Sequence, residues 1–336
     1  NEQRTHLLDA SSPNPSVETL LHAFLPHKFI DHSHADASLI IANQPGVEQI
    51  CKKIYGDRIG IVSYIMPGFA LAKASAEVYE KNPNVEGLLL VNHGLFTFGD
   101  TAKESYERHI HAVTLLEEFI GKSKLIPLTS LEGPTLNARE ETLMESLAPV
   151  LRGLYKEHSG KDWVLHHLVD TQAKAFASSK ECERWSQIGT ATPDHVIRTK
   201  QKPLLLNLKQ WQDPDKLRKE VLQALNVYFE SYHQYFKENK LAKGVDKTEL
   251  DRLPRVILVA GLGLVTIGNT VKEVGIAADI YQHTIDIIHK SFSVGTYKPL
   301  NSSDLFDMEY WSLEQAKLGK NKVLALQGKV IYITGA

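Results

Sequence analysis

Apolar and polar residues along the chain alternate in short runs, and these runs predict a layered α/β arrangement. Residues 1 to 16 are polar, carry Pro13 and Pro15 among Ser and Asn, and read as loop. Glu18 to Phe24 has a short helical pattern, and Phe29 to Ala42 reads as strand-like up to the turn Asn43-Gln-Pro-Gly46. Ile59 to Met66 is a second apolar strand stopped by Pro67-Gly68, Ala70 to Lys81 is helical, and Gly87 to Val91 is a buried strand. The spacing Thr101-Ala-Lys-Glu104 predicts a capped helix running to Ile120. Tyr, Phe and Leu between Leu225 and Phe236 have the spacing of a helix core.

One part of the pattern occurs twice. GLFTFGDTAKE at 94–104 realigns with GLVTIGNTVKE at 263–273, and seven of the eleven positions are identical. Chance would give about one at ordinary residue frequencies. Each copy follows an apolar strand, GLLLV or VILVA, and opens a helix with the same Thr-x-x-Glu box. We read this as an internal duplication of a strand–turn–helix unit. The copies are chemically unequal, because Leu262 stands where the first copy has His93. Upstream, Asp31-His32-Ser-His34 has a loose counterpart in Asp194-His195-Val-Ile197, with one histidine left. The second copy is therefore expected to be a structural or oligomerisation module. Gly261-x-Gly263 follows a strand but lacks a third spaced glycine, so it is not read as a dinucleotide loop.

Composition changes this picture little. The chain has 336 residues, 43% hydrophobic and 23% charged, with a formal net charge of -2. That length suggests two compact units and a sizeable core. The near-neutral charge supplies no field for nucleic acid or an acidic membrane surface. Cys51 and Cys182 are too few for a secreted disulfide framework, so a cytoplasmic protein is expected. The first residues lack the apolar core of a signal peptide. The apolar stretch from Val256 to about Ile267 is too short to span a bilayer.

Fifteen histidines, roughly twice ordinary usage, turn attention to metal chemistry. Residues i and i+2 of a strand project from one face, so His32 and His34 can present two imidazoles to one ion. His93 ends a strand beside Gly94, which leaves room for a tight turn. Three neutral imidazoles with an open fourth position describe a catalytic zinc site better than a closed structural one. Other histidines read as scaffold: His166 and His167 are adjacent and face apart on a strand, while His109 and His111 read as exposed or packed helix residues. Cys51 beside Lys52 and Lys53 reads as buried and inert.

DHSHADASLI and GLLLVNHGLFTFGDTAKESYERHI together resemble the class II aldolase/adducin family, most closely its sugar-phosphate aldolases. PDHVIRTK, GLGLVTIGNT and DLFDMEYWSLEQAKLG extend the resemblance to bifunctional members that join rhamnulose-1-phosphate aldolase to a short-chain lactaldehyde dehydrogenase. The resemblance covers nearly the whole chain. It implies a zinc ion on His32, His34 and His93, and a catalytic acid/base at Glu18, within the similar segment Pro15-Ser16-Val17-Glu18. Its spacing to His32 is shorter than in simple aldolases, and an ordinary helix-start carboxylate is the competing reading. The implied reaction is retro-aldol cleavage of a sugar phosphate in a homo-oligomeric enzyme that engages neither nucleic acid nor membrane. A sugar-phosphate epimerase and a non-enzymatic assembly module of the adducin kind are the alternatives within the family.

The final LQGKVIYITGA resembles the opening strand of a short-chain dehydrogenase, whose Gly-rich turn would follow. Nothing before Glu18 matches the family's phosphate loop. The expectation is a fragment truncated at both ends, able to hold metal but with little aldolase activity, and with NAD confined to a missing dehydrogenase part. The expected division is aldolase at 1–125, linker at 126–160, and degenerate aldolase-like repeat at 161–295. A second linker at 296–324 and a terminal Rossmann strand stub at 325–336 complete it. The expected fold is thus a partial, layered α/β/α class II aldolase-like fold with a degenerate second copy.

Overall fold

The computed structural model describes residues 2–319 and 324–335. It separates into two compact units, Asn1–Ser123 and Lys124–Ala336. In the first, α1 (Glu2–Thr5) and α2 (Thr19–Phe24) precede β1 (Phe29–Ser33), α3 (Asp36–Ala42), α4 (Val47–Tyr55) and β2 (Ile59–Val62). Then come α5 (Phe69–Lys81), β3 (Gly87–Leu90), β4 (Gly94–Gly99) and α6 (Ala102–Ile120). The strands form one sheet in the order β1-β4-β3-β2. β4 runs antiparallel to both β1 and β3, and β2 runs parallel to β3.

All four residues of β3 and all six of β4 are buried, so both faces of the sheet are covered. One face packs Leu88, Leu90, Phe96 and Phe98 with Leu21, Leu25, Leu71 and Ala72 from α2, its end and α5. The other receives α6, whose buried positions Ser105, His109, Ala112 and Leu116 follow helical spacing. Thr101 caps α6 by accepting the Glu104 N–H at 3.1 Å, and the Glu104 carboxylate accepts the Asp100 N–H at 2.9 Å.

The second unit contains α7 (Glu140–Ser159), β5 (Val164–Leu168), α8 (Thr171–Ala177), α9 (Glu181–Ser186), α10 (Val196–Thr199) and β6 (Leu204–Leu206). It continues with α11 (Pro214–Lys243), β7 (Val256–Val259), β8 (Gly263–Gly268), α12 (Val271–Val294), α13 (Ser302–Glu309) and α14 (Ser312–Ala316). Its sheet order, β5-β8-β7-β6, repeats the first sheet strand for strand. The duplication read from 94–104 and 263–273 therefore extends to whole sheets. The capping box recurs too: Thr270 accepts the Glu273 N–H at 3.1 Å, and Glu273 accepts the Asn269 N–H at 2.9 Å.

Several expectations need correction. Phe29 to Ala42 is not one strand, because β1 stops at Ser33 and 36–42 is helix, with Ser38 to Ala42 all buried. A short run buried on all sides has no periodicity to separate strand from helix. The stretch 126–160, expected as linker, contains α7, whose Leu143, Leu147, Leu151 and Leu154 belong to the core of the second unit. Likewise 296–324 holds α13, with Leu305, Phe306 and Met308 buried. Among the described residues of the tail, 324–335 form no strand, and Tyr332 and Ile333 are exposed. A lone strand has no ladder partner to satisfy its backbone, so an apolar sequence alone does not form one. Ala336 lies outside the described residues.

The counterpart proposed for Asp31-His32-Ser-His34 is also corrected. Pro193–His195 is a 3₁₀ turn, not a strand. The place of β1 is taken by β5: Phe29 pairs with Gly99, and Val164 pairs with Gly268. His32 pairs with Phe96 and His167 with Val265, so His167 is the equivalent of His32.

Candidate metal centre

Glu18 sits at the start of α2 but makes no side-chain cap there. Its carboxylate instead accepts a hydrogen bond from His93 Nε2 at 2.8 Å, and its Oε1 lies 3.6 Å from His32 Nε2. His32 is on β1, and its ring stacks on that of its cross-strand partner Phe96, with centroids 3.8 Å apart and planes at 10°. His34 follows two residues later on the same side, its ring centroid 4.9 Å from that of His32. His93 stands in the tight turn between β3 and β4, 5.0 Å from His34 and 5.3 Å from His32 by ring centroids.

The turn depends on Asn92, whose φ of 57° is left-handed, a conformation Asn tolerates better than most residues. Its side chain donates to Asn43 Oδ1 at 2.7 Å, and its N–H donates to the Ala42 carbonyl at 3.2 Å. Gly94 then lets the strands close: a Cβ there would lie 2.5 Å from the Ser33 carbonyl oxygen, 2.9 Å from His34 and 3.0 Å from His32.

The sequence-derived site residues are thus brought together. Glu18, His32, His34 and His93 each offer a ligand atom, all within 4.8 Å of one another. Burial alone would raise the Glu18 carboxyl. The hydrogen bond from His93 and the charges of His32, His93 and His34 outweigh it and hold the carboxyl at about 2. Burial dominates at His32 and pushes its imidazole down to about 3 against the pull of Glu18. The His32 Nδ1 lies 3.0 Å from the Leu95 carbonyl, which can only accept, so Nδ1 carries the proton and Nε2 presents its lone pair. His32 Nε2 and His93 Nδ1 are both buried without a hydrogen-bond partner. A buried, unsatisfied imidazole nitrogen costs free energy, and a cation held beside His32 Nε2 and Glu18 Oε1, 3.6 Å apart, removes that cost at His32. Three nitrogens and one carboxylate oxygen fit zinc among divalent ions.

Sequence reasoning missed one neighbour. His109, read as an exposed or packed helix residue, is buried, with Nδ1 2.9 Å from Thr97 Oγ1 and Nε2 2.6 Å from Ser33 Oγ. Its signal was the spacing Ser105, His109, Ala112, Leu116, which places it on the sheet-facing stripe of α6.

Fold and site define a class of protein in which an α/β sheet carries a histidine-rich, metal-capable cluster. The chain belongs to the class II aldolase/adducin family. Residues 2–120 match the class II aldolase and adducin N-terminal domain, and residues 142–318 match the aldolase class II second domain. It is similar to an uncharacterized oxidoreductase, YuxG, of Bacillus subtilis (strain 168), with 32% identity over 336 residues. That match takes in 98% of this chain and 48% of the relative, so the chain spans about half the relative's length. Among solved structures it is similar to the N-terminal class II aldolase domain of a conserved protein from Thermoplasma acidophilum. That likeness has 50% identity, covers 35% of this chain and 54% of the other, and has a TM-score of 0.32. Among the described residues, no helix is long and apolar enough to cross a membrane.

Proposed function

We propose that this protein is a zinc-dependent carbon–carbon lyase acting on a sugar phosphate, with His32, His34 and His93 as metal ligands and Glu18 as acid/base. The observation that carries the reading is the convergence of those four groups, each with a ligand atom within 4.8 Å of the others, with His32 Nε2 buried and unpartnered among them. When bound, the ion would supply positive charge against the negative charge that develops on substrate oxygens during retro-aldol cleavage. Glu18 is a carboxylate among imidazoles, and in this reading its Oε1 would take a hydroxyl proton and return it to carbon. His93, by hydrogen-bonding Oε1, orients that carboxylate. The stacked Phe96 and the Leu95 carbonyl fix the ring plane and tautomer of His32.

The sequence resemblance singles out rhamnulose 1-phosphate, cleaved to dihydroxyacetone phosphate and lactaldehyde. A linked NAD-dependent oxidation of the aldehyde belongs to the same reading, supported by the relative's designation as an oxidoreductase. The enzyme would work as a cytoplasmic homo-oligomer. Metal analysis of the purified chain tests the site. One zinc per chain is expected, lost in His93→Ala, and a wild-type chain that takes up no zinc overturns the reading. Release of free aldehyde from the sugar phosphate then separates a lyase from an epimerase of the same family, which re-adds both fragments.

A further inference from the structure

We propose that His109 is a positioning residue for the His32/His34 pair, acting through Ser33 between them. The inference rests on the metal reading above. Ser33 is the last residue of β1, and its side chain points to the α6 face of the sheet, opposite the two histidines. There its Oγ meets His109 Nε2 at 2.6 Å. The other end of the His109 ring is fixed as well. Thr97 donates its hydroxyl proton to the Ser105 carbonyl at 3.1 Å, so its oxygen accepts the Nδ1–H of His109 at 2.9 Å. That tautomer leaves Nε2 as the acceptor for the Ser33 hydroxyl. A strand end is where a ladder frays first. The hydrogen bond to His109 anchors that end to the longest helix of the unit.

The second copy shows that the fold does not require this anchor. Thr266 donates to the Val274 carbonyl at 2.8 Å, as Thr97 does to Ser105, so the contact from strand to helix is kept. His109 is replaced there by Ala278 and Ser33 by Leu168, while His34 and His93 give way to Val169 and Leu262. Sheet order, cap and helix survive these changes. The anchor is retained where the histidine pair is retained and is gone where the pair is gone. Its role lies with the pair.

The test is zinc affinity and the visible spectrum of the cobalt-substituted full chain for wild type, His109→Ala, Ser33→Ala, the double variant and His109→Gln. Loss of a ligand-orienting contact lowers metal affinity about 10-fold or more. That loss is expected in His109→Ala and Ser33→Ala, with a shifted cobalt spectrum. The double variant should be no weaker than His109→Ala, since both single changes remove one shared hydrogen bond. His109→Gln, whose amide oxygen reaches the Nε2 position, should recover most of the affinity, and it carries the test if the alanine variant does not fold. Wild-type affinity and spectrum in Ser33→Ala and His109→Ala, or losses that simply add in the double variant, would overturn the proposal. A wild-type chain that binds neither zinc nor cobalt would instead remove the metal reading itself.

Discussion

Replacing Gly94 with alanine tests whether the site depends on the close approach of β1 and β4. Gly94 does not adopt a left-handed φ, so alanine meets no backbone penalty, and the whole effect is steric. The added Cβ would lie 2.5 Å from the Ser33 carbonyl oxygen. An ordinary carbon–oxygen contact is about 3.3 Å or more, so the two strands must part by on the order of 1 Å. That oxygen is backbone in the strand carrying His32 and His34, whose rings the methyl also meets at 3.0 and 2.9 Å. Overpacking of this kind costs about 1–3 kcal/mol, while lower unfolded-state entropy returns less than about 1 kcal/mol. The variant should therefore unfold at lower denaturant concentration and bind zinc at least 10-fold more weakly, since a ~1 Å misplacement of site groups costs up to about 100-fold in function. Gly263→Ala is the control. It is the equivalent position in the second sheet, with a φ of 103°, so it should destabilise without changing zinc affinity. Urea unfolding and chelator competition read both quantities. Wild-type zinc affinity in Gly94→Ala would refute the steric argument, whatever happened to stability.

Leu151 on α7 is fully buried, so Leu151→Ala should cost about 3 kcal/mol in urea unfolding. A loss below about 1 kcal/mol would return that stretch to the status of a linker. Burial pushes the thiols of Cys51 and Cys182 up to about 12, so neither should react with a disulfide reagent at pH 8 until the chain unfolds. Fast native labelling of either would contradict their placement. In chelator, His32 should make the metal-free chain acid-sensitive. Its folded value of about 3 lies below the ordinary imidazole value of 6.5, so the unfolded state binds more protons between them. Stability present above that range is lost as pH falls toward 3, and Glu18, at about 2 against 4.5, extends the loss downward. His32→Asn should flatten the upper part of that limb in urea unfolding measured from pH 7 to pH 4.

The site was legible where residue types carry the chemistry. Two histidines at strand spacing and a third before a glycine single out the residues that the fold clusters with Glu18, with little knowledge of the fold. Glu18 needed its segment's resemblance, since its carboxylate reaches His93 across 75 residues of sequence. The capping boxes were legible because their contacts are local. What could not be read was register across unequal insertions. β1 and β5 are offset by 135 residues, while β4 and β8 are offset by 169. The extra length accommodates the 30-residue helix α11. His195, 163 residues after His32, lies nearer the 169-residue offset than His167, 135 residues after it, so sequence spacing favours the wrong histidine. His109 was missed for a related reason: its partners, Ser33 and Thr97, lie on two strands whose pairing only the folded sheet reveals.

Two copies of one sheet in a single chain separate the demands of the fold from those of the site. Both copies need a left-handed residue in the β-turn: Asn92 has a φ of 57° and its equivalent Gly261 a φ of 86°. In the second copy glycine is obligatory, because a Cβ would lie 2.2 Å from the Thr135 carbonyl oxygen. In the first there is room for a side chain, and Asn92 uses it to bond Asn43 at 2.7 Å beside His93. In the second copy the Gly261 N–H donates to the Ser178 hydroxyl at 2.9 Å, where the first has the Asn92 N–H on the Ala42 carbonyl at 3.2 Å. A corner that only has to fold can be closed through its own main-chain N–H and packed with Leu262. One that has to hold an imidazole in place spends a side-chain hydrogen bond on the residue next to it, as β1 does with Ser33 between its two histidines.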